Sequence, residues 1–248
     1  MVPIRIRMVA VARPERRRGG IILVSENYSK SLKMGSSGKP FICSLAAKMD
    51  YLAYLEDEDV YVNLAGYYGY LETAYYASQD LKSEGKDIHP TCLEILDGYV
   101  VPIFLEKARL AGLKVPEHYV TNGYFEPPVI VDPINPFMTR QSVVLKNGHQ
   151  ERVAKSMTRN FTYAICCQEV PPGSKIGNFR QVLGWTCQEK YQNLAREIWQ
   201  VFRIPIADIR ILTTPDESVL VSALRPMPFQ RLTARELRYL ESKVQWPI

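Results

Sequence analysis

Strand-like and helix-like patterns alternate through the first half of the chain, and this alternation restricts the available folds more than any other feature. Val60–Leu64 is a short apolar run typical of a buried strand, and Tyr70–Ser83 has helical spacing. Thr91–Glu94 has the Thr-x-x-Glu spacing of a capping box, which predicts the start of a helix that continues to about Gly112. Alternating strands and helices favour a small α/β lobe with a largely parallel sheet over residues 20–114.

Five prolines between residues 115 and 140 separate this lobe from the rest of the chain. Proline lacks a backbone N–H and is excluded from helix interiors, so residues 115–140 are predicted to be an extended connection. Beyond it, strand patterns, an amphipathic helix over Glu189–Arg203 and a second capping box at Thr233–Glu236 favour an α+β lobe over residues 141–248. The predicted fold class is therefore mixed, with an α/β lobe followed by an α+β lobe.

Two local patterns predict further elements within these lobes. Apolar residues at helical spacing predict a helix over Ser44–Glu56. In the second half, Val143–Leu145, the tight-turn pair Asn147-Gly148 and Gln150–Val153 predict a β-hairpin.

The formal net charge of +5 is concentrated in one short segment. The first eighteen residues contain six arginines and one glutamate, which accounts for the whole excess, so the rest of the chain is neutral overall. Residues 1–19 are predicted to form a basic N-terminal extension, either solvated or a docking arm for an acidic partner or nucleic acid. A folded nucleic-acid-binding domain needs a basic face, so nucleic acid is expected as a partner only through this arm.

Hydropathy and cysteine spacing indicate the expected compartment. The chain contains no run of about eighteen uncharged apolar residues, so no membrane span is expected. Its five cysteines are odd in number and lack Cys-x-x-Cys spacing, which favours a reducing, cytoplasmic setting. The three histidines lie about thirty residues apart and form no local ligand pair, so no metal and no other cofactor is expected.

The densest unusual feature is a group of tyrosines that follows the strand ending near Asn63. In open α/β sheets ligands bind where a strand enters a helix, and tyrosine offers both a stacking face and a hydroxyl group. The alternative is that these tyrosines pack in the core or in an interface, with their hydroxyl groups exposed to water. The residues of this candidate crevice are Asn63, Tyr67, Tyr70, Glu72, Tyr75 and Tyr76.

A second candidate is the extended segment Arg225-Pro226-Met227-Pro228-Phe229. Its prolines fix an extended backbone that could present Arg225 to a partner. Packing between domains is the alternative interpretation. No recognisable catalytic motif accompanies either candidate, so the catalytic residues are unknown and an enzymatic activity of this chain alone is doubtful.

Several of these segments together resemble one family. They are Val62–Leu64 followed by Tyr70–Ser78, then His89-Pro90-Thr91, Tyr191–Ile211 and Ala223–Pro228. This combination resembles the N-terminal domain found ahead of RimK-like ATP-grasp ligases, over most of residues 20–243. The resemblance implies an α+β domain of unknown activity that presents or recognises an amino-acid, peptide or protein substrate for ligation.

Three functions follow as hypotheses. The first is a stand-alone accessory domain, because the chain ends at Ile248 without a nucleotide site; it would recognise an amino-acid, peptide or protein substrate and work with a separate RimK-like ATP-grasp ligase. The second is an enzyme that acts on a small metabolite at the crevice near Asn63 and Tyr70, with Glu72 as a base. The third is an RNA- or ribosome-associated protein that binds through the basic N-terminal arm.

Overall fold

Short strands and helices make up the part of the chain that the structure describes, which is residues 51–134 and 142–246 of this computed structural model. The strands within these ranges are β1 (Leu52–Leu55), β2 (Val60–Asn63), β3 (Ile88–His89), β4 (His118–Thr121), β5 (Val129–Pro133), β6 (Val143–Leu145), β7 (Ile165–Glu169), β8 (Lys175–Val182), β9 (Ile206–Thr213), β10 (Val219–Pro226) and β11 (Val244–Gln245). The α-helices are α1 (Thr73–Ser83), α2 (Cys92–Tyr99), α3 (Val101–Leu110), α4 (Gln150–Met157), α5 (Gln192–Phe202) and α6 (Ala234–Glu241). The predicted arm over residues 1–19 lies outside the described residues, as do residues 20–50 of the predicted N-terminal lobe.

The first sheet has the order β11-β1-β2-β3, and only the β2–β3 pair is parallel. For the described strands the prediction of a largely parallel sheet was therefore wrong. The helix predicted over Ser44–Glu56 was also wrong where the structure describes it, because Leu52–Leu55 is a strand. The acidic residues Glu56–Glu58 form a short 3-10 helix, and Asp59 has a left-handed backbone with φ 57°. This tight reversal returns the chain directly alongside β1, which makes the β1–β2 pair antiparallel.

The second sheet, β10-β9-β8, is antiparallel and carries α3 and α5 on one face. The rings of Phe104 in α3 and Phe202 in α5 lie 4.6 Å apart, and both belong to one buried cluster with Ile209 and Ile211 of β9. Helix α3 comes from the predicted N-terminal lobe, whereas this sheet comes from the predicted C-terminal lobe. The two halves thus contribute to the same core. The predicted boundaries between the lobes, at residues 115–140, remain a prediction.

The third sheet has the order β4-β7-β5-β6, and all its pairs are antiparallel. β6 pairs with β5, so the predicted hairpin partner over Gln150–Val153 was wrong. That segment begins α4, in which Ala154 and Met157 are three positions apart and both buried. Side chains at this spacing lie on one helix face, which packs against the sheet.

The helix predicted from Thr91 to Gly112 is divided in two at Val100. Pro102 has no N–H to donate to the carbonyl of Gly98, and its ring would clash with that carbonyl. The break therefore has a cause that is visible in the sequence. Both predicted capping boxes are present, at Thr91 with Glu94 and at Thr233 with Glu236.

Taken together, three sheets and six helices within the described ranges confirm the predicted mixed α+β class. None of the helices in these ranges has both the length and the apolar surface needed to cross a lipid bilayer.

Candidate functional site

Asn63, the last residue of β2, is fully buried. Its side-chain N–H groups donate to the Ala74 carbonyl and to the Ser78 hydroxyl, both at 2.9 Å. Its side-chain oxygen accepts the backbone N–H of Ala65 at 3.2 Å. The amide therefore fastens the end of β2 to α1 and does not reach the surface beside the tyrosines.

Two further tyrosines fix the loop between β2 and α1. Tyr68 is buried, and its hydroxyl donates to the Asn63 carbonyl. The hydroxyl of Tyr99 on α2 donates to the Gly66 carbonyl at 3.3 Å and accepts the Tyr68 N–H at 3.1 Å. Burial raises the pKa of both phenols above the ordinary value, so both remain protonated donors at neutral pH.

This loop and helix α2 expose several large apolar side chains. Tyr67 is 50% exposed and Leu71 74% exposed, and on the neighbouring α2 Leu93 and Leu96 are 74% and 50% exposed. Tyr99 joins α2 to the loop, because its hydroxyl is hydrogen-bonded to Gly66 and Tyr68, the residues before and after Tyr67. We call this surface the tyrosine face, and its residues are Tyr67, Tyr70, Leu71, Leu93, Leu96 and Tyr99.

The other predicted residues of the crevice lie at or beneath the edge of this face. Glu72 is exposed at the N-cap position of α1, without a side-chain capping bond. Tyr75 and Tyr76 are half-buried and meet edge to face at 5.4 Å. A hydrogen bond with Cys92 raises the pKa of Tyr75 and connects α1 to α2. The structure thus brings Tyr67 and Tyr70 to the surface together, whereas Asn63, Tyr75 and Tyr76 make internal packing and hydrogen-bond contacts.

A buried ion pair joins the third sheet to the second. Arg210 of β9 donates from its two terminal nitrogens to both carboxylate oxygens of Asp132 in β5, at 3.0 and 2.6 Å. Gln168 of β7 donates to the same carboxylate at 2.7 Å, and Ser222 connects Arg210 Nε to Gln168 through two bonds of 2.8 Å. Asp132 is only 2% exposed, so this closed network satisfies charges that would otherwise be costly to bury.

Arg225, the other residue singled out by the sequence, adjoins this network. Its guanidinium donates to the Ser142 hydroxyl at 2.6 Å, and Ser142 donates in turn to Asp132. The sequence reasoning thus identified Arg225 but missed Asp132, Gln168 and Arg210. A signal did exist, because each of these three residues interrupts an apolar strand pattern, as Arg210 does between Ile209 and Ile211.

A cavity of about 310 Å³ opens on the second sheet, and it is lined by residues of β8, β9, α6 and the loop after β8. Arg180 and Asp208 are opposite one another in the β8–β9 register, so their side chains share one sheet face. The Glu236 carboxylate on α6 lies 3.5 Å from the Arg180 guanidinium and is nearly buried. The cavity therefore combines one cation with two carboxylates. No cluster of three or more histidine, cysteine, aspartate or glutamate side chains suited to a metal ion occurs within residues 51–134 and 142–246.

The described cysteines differ in burial, and this difference predicts different thiol reactivities. Cys166 and Cys167 in β7 are fully buried, and burial raises the pKa of both thiols, to about 12 for Cys167. Their reactive thiolate fraction at pH 8 is correspondingly small, whereas Cys92 and Cys187 are partly exposed.

We expect iodoacetamide to alkylate Cys92 and Cys187 at least about tenfold faster than Cys166 and Cys167 in the native protein, as measured by peptide mass spectrometry. Equal rates in the native protein would contradict this, and equal rates in urea provide the control.

Comparison with known proteins supports part of the sequence interpretation. Residues 135–243 match the family model described as the RimK-like ATPgrasp N-terminal domain, which confirms the resemblance over that range. The range includes the motifs at Tyr191–Ile211 and Ala223–Pro228 but not the tyrosine block, whose part in the resemblance stays a prediction. No curated protein matches the chain.

A solved ATP-grasp structure shares the fold at low sequence identity. D-Alanine-D-Alanine ligase from Helicobacter pylori has a TM-score of 0.51 and 12% identity, with 66% of each chain covered. A RimK domain ATP-grasp protein from Sphaerobacter thermophilus DSM 20745 has a TM-score of 0.46 and 16% identity, with 66% of this chain and 70% of that chain covered. The ATP-grasp ligase PsnB, complexed with a phosphomimetic variant of its minimal precursor, Mg and ADP, has a TM-score of 0.44 and 16% identity. That match covers 61% of this chain and 57% of PsnB, so the chain spans less than two thirds of that ligase.

Proposed function

We propose that this chain is a recognition domain that works with a RimK-like ATP-grasp ligase and that the tyrosine face is its docking surface for the ligase. The match of residues 135–243 supports the ligase context. The observation that carries the docking role is the tyrosine face itself. Soluble monomers rarely expose contiguous patches of large apolar side chains, and such patches mark interaction sites.

The chemistry of the face also fits a protein partner. Tyrosine is enriched in protein interfaces because it buries a large ring while its hydroxyl remains satisfied. The Arg231 guanidinium lies 5.9 Å from the centre of the Tyr67 ring, and the Glu72 carboxylate interacts electrostatically with Tyr99, so a cation and a carboxylate accompany the aromatic side chains. A polar rim around an aromatic centre is the usual arrangement of a specific interface. The hydrogen bonds of Tyr99 hold the face rigid, which lowers the entropy cost of binding.

The Leu96→Glu variant tests this role. We expect it to weaken binding to a RimK-like ATP-grasp ligase from the same organism at least about tenfold, because a carboxylate would be desolvated in the apolar centre of the interface. Isothermal titration calorimetry with the two purified proteins measures the change. Leu96 is half-exposed, so the substitution leaves the core of the domain intact.

A matched pair of tyrosine variants provides the control. Tyr67→Ala removes an exposed ring from the tyrosine face, whereas Tyr124→Ala removes one that is 69% exposed and lies in the loop after β4. Only the first should weaken binding. A ligase that does not bind the wild-type chain, or that binds both tyrosine variants equally, would contradict the proposal.

A further inference from the structure

The cavity on the second sheet is built around two opposite charges that face each other without pairing. Arg180 of β8 and Asp208 of β9 are direct partners in the strand register, where opposite charges usually attract. Nevertheless, none of the ion pairs among the described residues joins them. Arg180 instead forms an ion pair with Glu236 at 3.5 Å and donates to the Arg231 carbonyl at 3.4 Å, and Asp208 accepts the side-chain N–H of Asn178 at 2.7 Å. A guanidinium has five donors and a carboxylate about four acceptor sites, so each group retains capacity for a ligand.

Glu236 is the second carboxylate, and the structure orients it through α6. Its Oε2 accepts the Thr233 N–H at 2.7 Å, which is a bond of the capping box, and the Thr233 hydroxyl at 2.8 Å. These bonds all involve one oxygen and fix the direction of the group. The residue is 5% exposed, which reduces the screening of its charge by solvent.

We propose that this cavity binds a free α-amino acid as its zwitterion. Arg180 holds the α-carboxylate through charge-assisted hydrogen bonds, and Asp208 and Glu236 hold the α-ammonium group. The assignment rests on the proposed function, since a recognition domain for a ligase needs a substrate site, and it names the free amino acid as that substrate class. The cavity has no lining residue in common with the tyrosine face, although Arg180 donates to the carbonyl of Arg231, whose guanidinium lies beside the Tyr67 ring.

The volume and charge of the cavity favour an amino acid over a nucleotide or another phosphate-bearing anion. A volume of about 310 Å³ is at the small end of ligand pockets, which suits a small metabolite better than a nucleotide. One cation and two carboxylates give these three residues a net charge of −1. A phosphate-bearing anion would be repelled by this charge, whereas a zwitterion places one end against each sign.

The test uses the full chain and the ordinary proteinogenic amino acids as probes. Saturation-transfer NMR on their mixture should identify one or more that bind, and calorimetry then gives the dissociation constant. The N-acetyl and methyl ester derivatives of the same amino acid remove one charge each without changing the protein. We expect each derivative to bind at least about tenfold more weakly, since each loses a charge-assisted contact.

Variants of the protein complete the test. Arg180→Met and Asp208→Asn should each weaken binding at least about tenfold, whereas Arg152→Met, an exposed arginine of α4, should not change it. Absence of saturation transfer from every amino acid, or equal binding by Arg180→Met and Arg152→Met, would overturn the assignment. Amino-acid binding is measured without ligase, so its failure is distinguishable from failure of ligase docking at the tyrosine face.

Discussion

The Arg210→Ala variant is expected to lower the free energy of unfolding by about 3–5 kcal/mol, because it leaves a buried carboxylate without its cation. Asp132 is 2% exposed and receives both terminal nitrogens of Arg210. Without the guanidinium, the donors that remain on that carboxylate within the described part of the chain are the neutral groups of Gln168 and Ser142. Urea denaturation followed by circular dichroism measures the change.

Two controls separate the loss of a buried charge partner from the loss of any arginine. Arg109 is paired with Glu106 at the exposed end of α3, and Arg109→Ala should leave the free energy of unfolding almost unchanged because water screens this pair. The double variant Asp132→Leu with Arg210→Met removes both buried charges and is therefore expected to be more stable than Arg210→Ala. A loss below about 1 kcal/mol for Arg210→Ala would contradict a structural role for the pair.

The elements that could be predicted from the sequence are those that local chemistry determines. Both capping boxes begin helices, because the threonine hydroxyl and the glutamate carboxylate satisfy backbone N–H groups within one turn. The predicted helix over Glu189–Arg203 is α5 with its ends adjusted, since its apolar residues repeat on one face. Strands β9 and β10 were also predictable, because polar and apolar residues alternate in the middle of β9 and apolar residues predominate in β10.

Which strands pair with each other depends on residues that lie far apart in the chain. Leu52 and Leu55 have a spacing that fits a helix as well as a strand, and the choice is made by pairing with β2 and β11. β11 is only two residues long and lies almost two hundred residues later. A parallel sheet was predicted because strands and helices alternate, but the tight turn at Asp59 returns the chain antiparallel.

The contacts of the candidate-site residues also depend on residues elsewhere in the chain. Asn63 was correctly placed at the end of a strand, but the direction of its side chain depends on Ala74 and Ser78 in the next helix. Along β9, Asp208 and Arg210 alternate with Ile209 and Ile211, so a period of two already predicts one polar face and one apolar face. The sequence could not show that Asp132 and Glu236 reach this polar face, since neither is near β9 in the chain.

Gly66 is the residue on which the tyrosine face depends most directly. Its backbone is left-handed, with φ +70°, and its carbonyl accepts the hydroxyl of Tyr99. A Cβ atom at this position would overlap the backbone of Met227 and Pro228, which cannot move aside as a flexible side chain can. The loop after β2 and the segment after β10 therefore approach so closely that only glycine fits.

The Gly66→Ala variant should consequently lose about 3 kcal/mol or more of unfolding free energy, because backbone overlap adds to the strain of a left-handed alanine. Gly85 is a matched control, since it has φ +78° but no atom within 4 Å of the added Cβ. Gly85→Ala carries the conformational strain alone and should cost about 1–2 kcal/mol. Thermal and urea denaturation of the two variants measure the difference. Equal losses would show that the loop can move away from Met227, and in that case Gly66→Ala should also leave ligase binding at the tyrosine face unchanged.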